Sequence, residues 1–179
     1  GGGIIGYLEN SSGGAVTSTF LLTNAQASTT ANCGNGFGCG GAIGYIYAGG
    51  SFGPTQTIVQ LSTSTGILGG NGQSIGGFLG YAYMEDRGSD AYLRVASSSA
   101  DVRIESISNV VGGFVGGAGM KSIGRDVQVL MQFTHNHATG SVMGISSVGG
   151  FLGGVVGEGP GVYLTGDVRG GLVIDKNFF

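Results

Sequence analysis

The two cysteines are the clearest chemistry-bearing residues in this 179-residue chain. Cys33 and Cys39 enclose the glycine-rich stretch of "NCGNGFGCGG", which can fold back and bring the two sulfur atoms together. We interpret them as a structural disulfide, because a metal site would need two more ligands nearby and none is evident. A disulfide favours an oxidising, extracellular compartment. In that setting "NSS" at Asn10 is a candidate acceptor for N-glycosylation.

Two histidines stand two residues apart in "THNHAT". On a β-strand, side chains two residues apart point to the same face, so His135 and His137 can offer two ligands to a zinc or copper ion. Alignment of the repeats described below places them level with Val95 and Ser97. Since no third ligand accompanies them, we interpret them as partly buried histidines near a corner and as weak metal candidates. We expect no cofactor.

The densest group of charges lies in "MEDRGSD", which contains Glu85, Asp86, Arg87 and Asp90. Paired carboxylates can act as acid and base on a glycosidic bond, so a polysaccharide-active β-helix enzyme using Glu85 is one alternative. The group falls in a variable turn, where solvated charge is the ordinary expectation. No aromatic-lined cleft can be assembled around it from neighbouring repeats. We therefore predict a chain without catalytic residues.

Threonine pairs suggest a second alternative, because ice-binding solenoids repeat such pairs at one place on every coil. Counted from the opening glycine of their repeats, Thr17 and Thr55 both lie 15 residues on, but the next two repeats have Ala91 and Val127 there. A full ice-binding array therefore breaks after two steps. The three pairs are Thr17 and Thr19, Thr55 and Thr57, and Thr63 and Thr65.

Composition limits the fold class. Glycine accounts for 41 residues and proline for 2, while 41% of the residues are hydrophobic and 9% are charged. Collagen needs glycine at every third position and abundant proline, and disordered chains are less hydrophobic, so turn-rich β structure remains. The net charge of −3, with no basic cluster, argues against a nucleic-acid partner. The longest uncharged apolar stretch is too short for a transmembrane segment.

A phrase of the form Gly-Gly-apolar-apolar-Gly starts at positions 2, 40, 76, 112 and 149, in steps of 38, 36, 36 and 37. This period, with strand-like runs and no helical pattern, predicts an all-β chain in which residues 1–179 form one β-solenoid domain of about five coils. Each coil is expected to contain two or three short strands, about 4.8 Å from the next coil. The structural glycines of the phrase are Gly2, Gly3, Gly6, Gly40, Gly41, Gly44, Gly76, Gly77, Gly80, Gly112, Gly113, Gly116, Gly149, Gly150 and Gly153.

We predict that these glycines supply positive φ angles at corners and let neighbouring backbones approach closely. Strict alternation would turn only one member of each apolar pair inward. The clearest alternation is in "DVRIES", where Asp101, Arg103 and Glu105 lie opposite two apolar residues. The predicted core residues are Phe78, Leu79, Phe114, Val115, Phe151, Leu152, Val102 and Ile104.

The repeats resemble the GLUG repeat family. The family pattern opens with G-G-L-apolar-G-Y and continues with A-T-G-x-V, which is echoed by "GGFLGY" at Gly76–Tyr81 and "ATGSV" at Ala138–Val142. The resemblance spans the chain in its periodicity, although the second motif is degraded in most repeats. Such repeats occur in long surface and secreted proteins, including adhesins and regions attached to extracellular peptidases. The resemblance implies a structural or adhesive role and transfers no catalytic residue.

The termini complete the sequence-based hypothesis. The chain begins "GGGIIGYLEN" without methionine and ends in "VIDKNFF" without a helical or charged cap, so we interpret it as a processed product or a segment of a longer protein. We predict an extracellular structural domain that stacks head to tail, on copies of itself or further repeats, into a surface fibre, filament or adhesin stalk. Other surface proteins or glycans are further candidate partners. The alternative is a solenoid that binds ice or carbohydrate.

Overall fold

The computed structural model describes residues 1–50, 52–123, 127–158, 162–169 and 173–175. Within these ranges the chain forms 18 strands and no helix. Accordingly, none of the described segments is a helix that could cross a membrane.

Three parallel sheets run along the stack of coils, and each strand pairs with its equivalent in the next coil. Sheet 1 contains β1 (Ile5–Ser12), β5 (Ile43–Gly50), β9 (Leu79–Asp86), β13 (Val115–Lys121) and β16 (Leu152–Glu158). Sheet 3 contains β4 (Cys39–Gly40), β8 (Ser74–Gly76), β12 (Val110–Gly112) and β15 (Ser147–Gly149).

Sheet 2 has two halves, which the long strand β14 (Val129–Met143) joins. The first half consists of β2 (Ser18–Thr23), β6 (Thr55–Gln60), β10 (Ala91–Ala96), the start of β14, and β17 (Val162–Arg169). The second half consists of β3 (Gln26–Cys33), β7 (Thr63–Gly70), β11 (Ser99–Ser106), the end of β14, and β18 (Val173–Asp175).

The predicted all-β solenoid is confirmed, with about four turns. Strands β1–β4, β5–β8, β9–β12 and β13–β15 make four coils, and β16–β18 begin a fifth. The expectation of two or three strands per coil is wrong for the first three coils, which have four each. The difference arises because the segment that passes through sheet 2 turns a corner at its middle, and in these three coils the corner divides it into two strands.

The glycine phrase marks the same place in every coil. Its first glycines lie side by side in one column, in which Gly40 pairs with Gly76, Gly76 with Gly112, and Gly112 with Gly149. A Cβ atom at Gly112 would lie 1.8 Å from the carbonyl oxygen of Val115, and one at Gly77 would lie 2.1 Å from the carbonyl oxygen of Gly113 in the next coil. Close backbone contacts, within the turn at Gly112 and with the next coil at Gly77, therefore account for these two glycines, whereas a Cβ atom at Gly6 would meet no atom within 4 Å.

The prediction of positive φ angles at the phrase glycines is wrong. Among the described residues, the glycines with positive φ are Gly66, Gly70, Gly88 and Gly140, and all four lie outside the phrase. The phrase turns its corner with ordinary dihedral angles because the residue following its second glycine lies in a bend rather than in a left-handed turn.

The apolar pair of the phrase contributes both of its members to the core. Phe78, Leu79, Phe114 and Val115 are all fully buried. The expectation that only one of each pair faces inward is wrong, because the phenylalanine lies in the bend and the next residue begins a strand of sheet 1. Of the other predicted core residues, Val102 and Ile104 are buried, whereas Phe151 and Leu152 are half-buried against the core.

Candidate functional site

The predicted disulfide is confirmed. Cys33 ends β3, Cys39 begins β4, and their Cα atoms lie 5.9 Å apart. Cys33 pairs with Gly70 and Cys39 with Ile75, so the connection between them is one residue longer than its counterpart in the second coil. The disulfide therefore closes an enlarged loop, at which Phe37 is 67% exposed.

Two carboxylates of the predicted charged cluster accept hydrogen bonds from backbone N–H groups. Asp86 is fully buried, and its carboxylate accepts hydrogen bonds from the backbone N–H groups of Gly88, at 3.2 Å, and Ile123, at 2.9 Å. Asp90 accepts a hydrogen bond of 2.8 Å from the backbone N–H of Gln128. The expectation of solvated charge is wrong for Asp86, because both carboxylates connect their own turn to the equivalent turn of the next coil.

Glu85 instead lies among aromatic side chains on the outward face of sheet 1. Its Oε2 atom accepts hydrogen bonds from Nε and Nη2 of Arg87, both at 3.2 Å, and from the hydroxyl of Tyr47, at 3.4 Å. Beside it lies a mostly polar recess of about 260 Å³, which includes two tyrosine rings but none of Glu85, Asp86 and Asp90 in its lining. The recess is lined by Tyr7, Glu9, Ser11, Ser12, Gly13, Tyr47, Gly49 and Arg87.

The recess lies beside two rows of tyrosine side chains. In the first row the ring centroids of Tyr7 and Tyr45 are 5.3 Å apart, and those of Tyr45 and Tyr81 are 5.6 Å apart. In the second row the rings of Tyr47 and Tyr83 are 6.0 Å apart. Burial is the main cause that raises the pKa of Tyr45 to about 12.

The sequence contains a signal for the first row that was missed. Tyrosine follows the glycine phrase directly in the first three repeats, as "GGIIGY", "GGAIGY" and "GGFLGY". In the fourth coil, Gly117 takes the register position of Tyr81 and Gly119 takes that of Tyr83. Both rows therefore end at the third coil.

The histidine pair lies on the surface. His135 has a left-handed φ of 54° at the corner between the two halves of sheet 2, and both His135 and His137 are exposed. His137 pairs with Ser99, so the predicted alignment was wrong by two residues, and so was the expectation of partial burial. Among the described residues, no group of three or more His, Cys, Asp and Glu side chains is placed to hold a metal ion.

The threonine pairs do not form the array that was considered. Thr55 pairs with Ser18 and not with Thr17, because the turn before β2 is one residue longer than its equivalent in the second coil. Thr55 and Thr57 are fully buried, whereas Thr65 lies exposed on the second half of sheet 2. The alignment of Thr17 with Thr55, which suggested the ice-binding alternative, is therefore absent from the structure.

Asn10 is unsuited to be a glycan acceptor in the folded chain. Its side chain is buried, and its Nδ2 atom donates to the carbonyl oxygen of Gln56 and to Oγ1 of Thr57, both at 3.0 Å. Its Oδ1 atom accepts a hydrogen bond of 2.7 Å from the hydroxyl of Ser18. The amide thus joins the first coil to the second, which contradicts the predicted glycosylation site as a surface position.

Comparison of the chain with protein-family models, curated proteins and solved structures finds no match.

Proposed function

We propose that this chain is a non-enzymatic, extracellular structural module whose coils stack head to tail into a surface fibre, filament or adhesin stalk. The supporting observation is the free edge of the first coil. Within the described residues, β1, β2 and β3 each pair with one strand only, in the second coil. Their other edges present backbone N–H and C=O groups that can template a further strand.

The apolar core is also open at this edge. Three inward side chains of the first coil, Ile5, Leu8 and Leu22, are half-buried, whereas their register partners one coil further in are fully buried. These register partners are Ile43, Ile46 and Val59. Burial of apolar surface stabilises the contact between two coils by about 25 cal/mol per Å². An added coil would therefore satisfy the backbone edge and cover the exposed end of the core together.

A coil of the same kind is the partner that fits this end best. The incoming strands must run parallel, keep the spacing of about 4.8 Å and present apolar side chains inward, as this chain's own coils do. A head-to-tail contact of this type does not close on itself, so it propagates into a fibre. The disulfide and the resemblance to GLUG repeats support an extracellular location for such a fibre.

The arrangement of the carboxylates supports a non-enzymatic role. Asp86 and Asp90 are used to join adjacent turns, and Glu85 is paired with Arg87. Hydrolysis of a glycosidic bond needs two carboxylates that face one another across the bond, one of them able to give up a proton. A side chain whose oxygen atoms hold backbone amides is not available for that step.

The proposal is tested by assembly of the native chain and of an edge-blocked variant. Ser18 and Asn24 donate their backbone N–H groups to the second coil, so alternation directs the N–H of Leu21 to the free edge. Leu21→Pro removes that donor and should leave the protein monomeric. Leu21→Thr keeps the donor and is the matched control.

Electron microscopy and sedimentation of the three proteins measure the outcome. We expect rods or fibres from the native chain and from Leu21→Thr, and single short rods from Leu21→Pro with unchanged thermal stability. A native chain that stays monomeric at high concentration, or a proline variant that assembles as the native chain does, would contradict the proposal.

A further inference from the structure

The outward face of sheet 1 combines aromatic rings with charged hydrogen-bonding groups across its first three coils. Tyr7 is 59% exposed, and Tyr47 lies half-buried between it and the ion pair of Glu85 with Arg87. Glu9 is exposed on the same strand as Tyr7. We propose that this face, the tyrosine face, is a binding site for a neutral glycan chain, independent of the stacking of coils.

The groups on the tyrosine face are those that recognise sugars. Within each row the rings stack on one another, so a ligand lying along the row meets their edges and hydroxyl groups. Tyr7 and Tyr47 begin the two rows and line the recess, where they offer apolar ring surface to the C–H bonds of a pyranose ring. Carboxylate and guanidinium groups bind sugar hydroxyls as acceptors and donors respectively. A phenol is neutral at physiological pH, so the tyrosine hydroxyls can both donate and accept hydrogen bonds.

The charges on the tyrosine face favour a neutral ligand. The face carries Glu9, Glu85 and Arg87, and Lys121 is the register partner of Glu85 in the fourth coil. Two carboxylates and two cations balance, so the face offers no excess of positive charge to the phosphates of nucleic acids or of anionic lipids.

The spacing of the rings favours an extended ligand that lies along the stack. Tyr7, Tyr45 and Tyr81 occupy one register column, with one ring per coil, and coils repeat at about 4.8 Å. A pyranose ring has a similar length, so successive sugars can meet successive coils. In the fourth coil, a Cβ atom at Gly117 would lie 2.8 Å from the ring of Tyr81. The glycine makes room for this last ring, and the site ends there.

The test measures binding of soluble polysaccharides to the monomeric Leu21→Pro variant and to the native chain. Affinity electrophoresis with a neutral β-glucan, a neutral galactomannan and heparin identifies the ligand class, and calorimetry with oligosaccharides of the retained polymer gives Kd. We expect retardation by at least one neutral polymer and none by heparin. Tyr7→Ala and Tyr47→Ala should each raise Kd about tenfold.

The matched control is Tyr92→Ala, which removes a half-buried tyrosine from sheet 2, away from the tyrosine face, and should leave Kd unchanged. If Tyr47→Ala fails to fold, Tyr47→Phe keeps the ring and removes the hydroxyl bonded to Glu85, with a smaller loss. Retardation by neither neutral polymer, or equal losses from Tyr92→Ala and Tyr7→Ala, would overturn the proposal. Because the binding test also uses a monomer, its failure is distinguishable from a failure of assembly.

Discussion

Two corners of this solenoid solve the same geometrical problem in opposite ways. The glycine corner is the Gly-Gly-apolar-apolar-Gly phrase between sheet 3 and sheet 1. The polar corner is the two-residue turn between the halves of sheet 2, at residues 24–25, 61–62, 97–98 and 135–136. Each must turn the chain sharply while leaving no buried backbone group without a hydrogen bond.

At the glycine corner the hydrogen bonds between coils run from backbone to backbone, and a serine hydroxyl adds a bond of 2.8 Å from Ser64 Oγ to the carbonyl oxygen of Gly77. The carbonyl oxygen of Phe114 accepts hydrogen bonds from the N–H groups of both Phe78 and Leu79 in the preceding coil, each at 2.9 Å. The carbonyl oxygen of Phe151 likewise accepts hydrogen bonds from the N–H groups of Phe114 and Val115, at 3.0 and 2.8 Å. Coils can approach this closely because the flanking residues have no side chains.

The polar corner depends on side chains. Its first residue has a left-handed backbone, as at Leu61 and Ser97, with φ of 53° and 50°. The side chain of its second residue accepts the backbone N–H of the preceding coil: Oγ of Ser98 accepts from Ser62 at 3.2 Å, and Oδ1 of Asn136 accepts from Ser98 at 3.0 Å. The two corners therefore differ in tolerance. A side chain at the second glycine of the phrase would meet the backbone of the next coil, whereas the polar corner uses a side-chain acceptor at its second residue in the second, third and fourth coils.

The largest effect is expected from a single methyl group at the glycine corner. In Gly77→Ala the new Cβ would lie 2.1 Å from the carbonyl oxygen of Gly113, and the backbone on both sides is fixed by inter-coil hydrogen bonds. We expect a loss of about 3 kcal/mol or more in the free energy of unfolding. Gly36→Ala is the control, because a Cβ there meets no atom within 4 Å. Equal melting temperatures for the two variants would show that the corner is not closely packed.

A similar loss is expected when the stack of rings beneath the glycine corner is interrupted. Phe114 lies between Phe78 and Phe151, with ring centroids 4.8 and 4.9 Å away. Phe114→Ala leaves a cavity in a fully buried column, at a cost of about 3–5 kcal/mol. Unfolding by denaturant measures this loss in the free energy of unfolding. Phe52→Ala is the control, because the ring of Phe52 is 72% exposed. Comparable losses from both variants would argue against a stacked core.

The difference between the corners also explains what the sequence could predict. Glycine is the single residue type that fits the glycine corner, so its recurrence gave the period, the fold and the correct register for the phrase. The polar corner accepts serine at Ser62 and Ser98 and asparagine at Asn136, so no repeated letter marks it. Its hydrogen bonds appear only when neighbouring coils are placed side by side.

Errors arose where the chain departs from regular spacing. One additional residue in the turn before β2 shifted the expected partner of Thr55 from Ser18 to Thr17. Alternation correctly placed Val102 and Ile104 inward in β11, but it failed for Phe78 because that residue lies in a bend. Tyrosine after the phrase in three repeats was a visible signal for the first row, but the recess beside it depends on the coil register that brings Tyr7 and Tyr47 together.

A moderate effect is expected at the polar corner. Asn136 is buried, and in addition to accepting from Ser98 its Nδ2 atom donates to the carbonyl oxygen of Val95 at 2.8 Å. Asn136→Ala leaves both backbone groups without these partners, at a cost of about 1–3 kcal/mol. Asn136→Ser should recover part of the loss, since serine fills this position in the two preceding coils. Chemical denaturation that ranks the serine variant no better than alanine would contradict the role assigned to the side chain.

The smallest effect is a gain in stability at the same corner. Leu61 is 54% exposed and has a left-handed φ of 53°, which costs a residue with a Cβ atom about 1–2 kcal/mol. Asparagine tolerates this conformation better, and Asn24 already occupies the equivalent position in the first coil, with φ of 55°. We therefore expect Leu61→Asn to raise the free energy of unfolding by about 0.5–1 kcal/mol. Ile67→Asn is the control, because Ile67 is 47% exposed within β7, where asparagine is disfavoured in a strand. If the two variants shift the denaturation midpoint in the same direction, the gain comes from removing an exposed apolar side chain and not from the backbone of the corner.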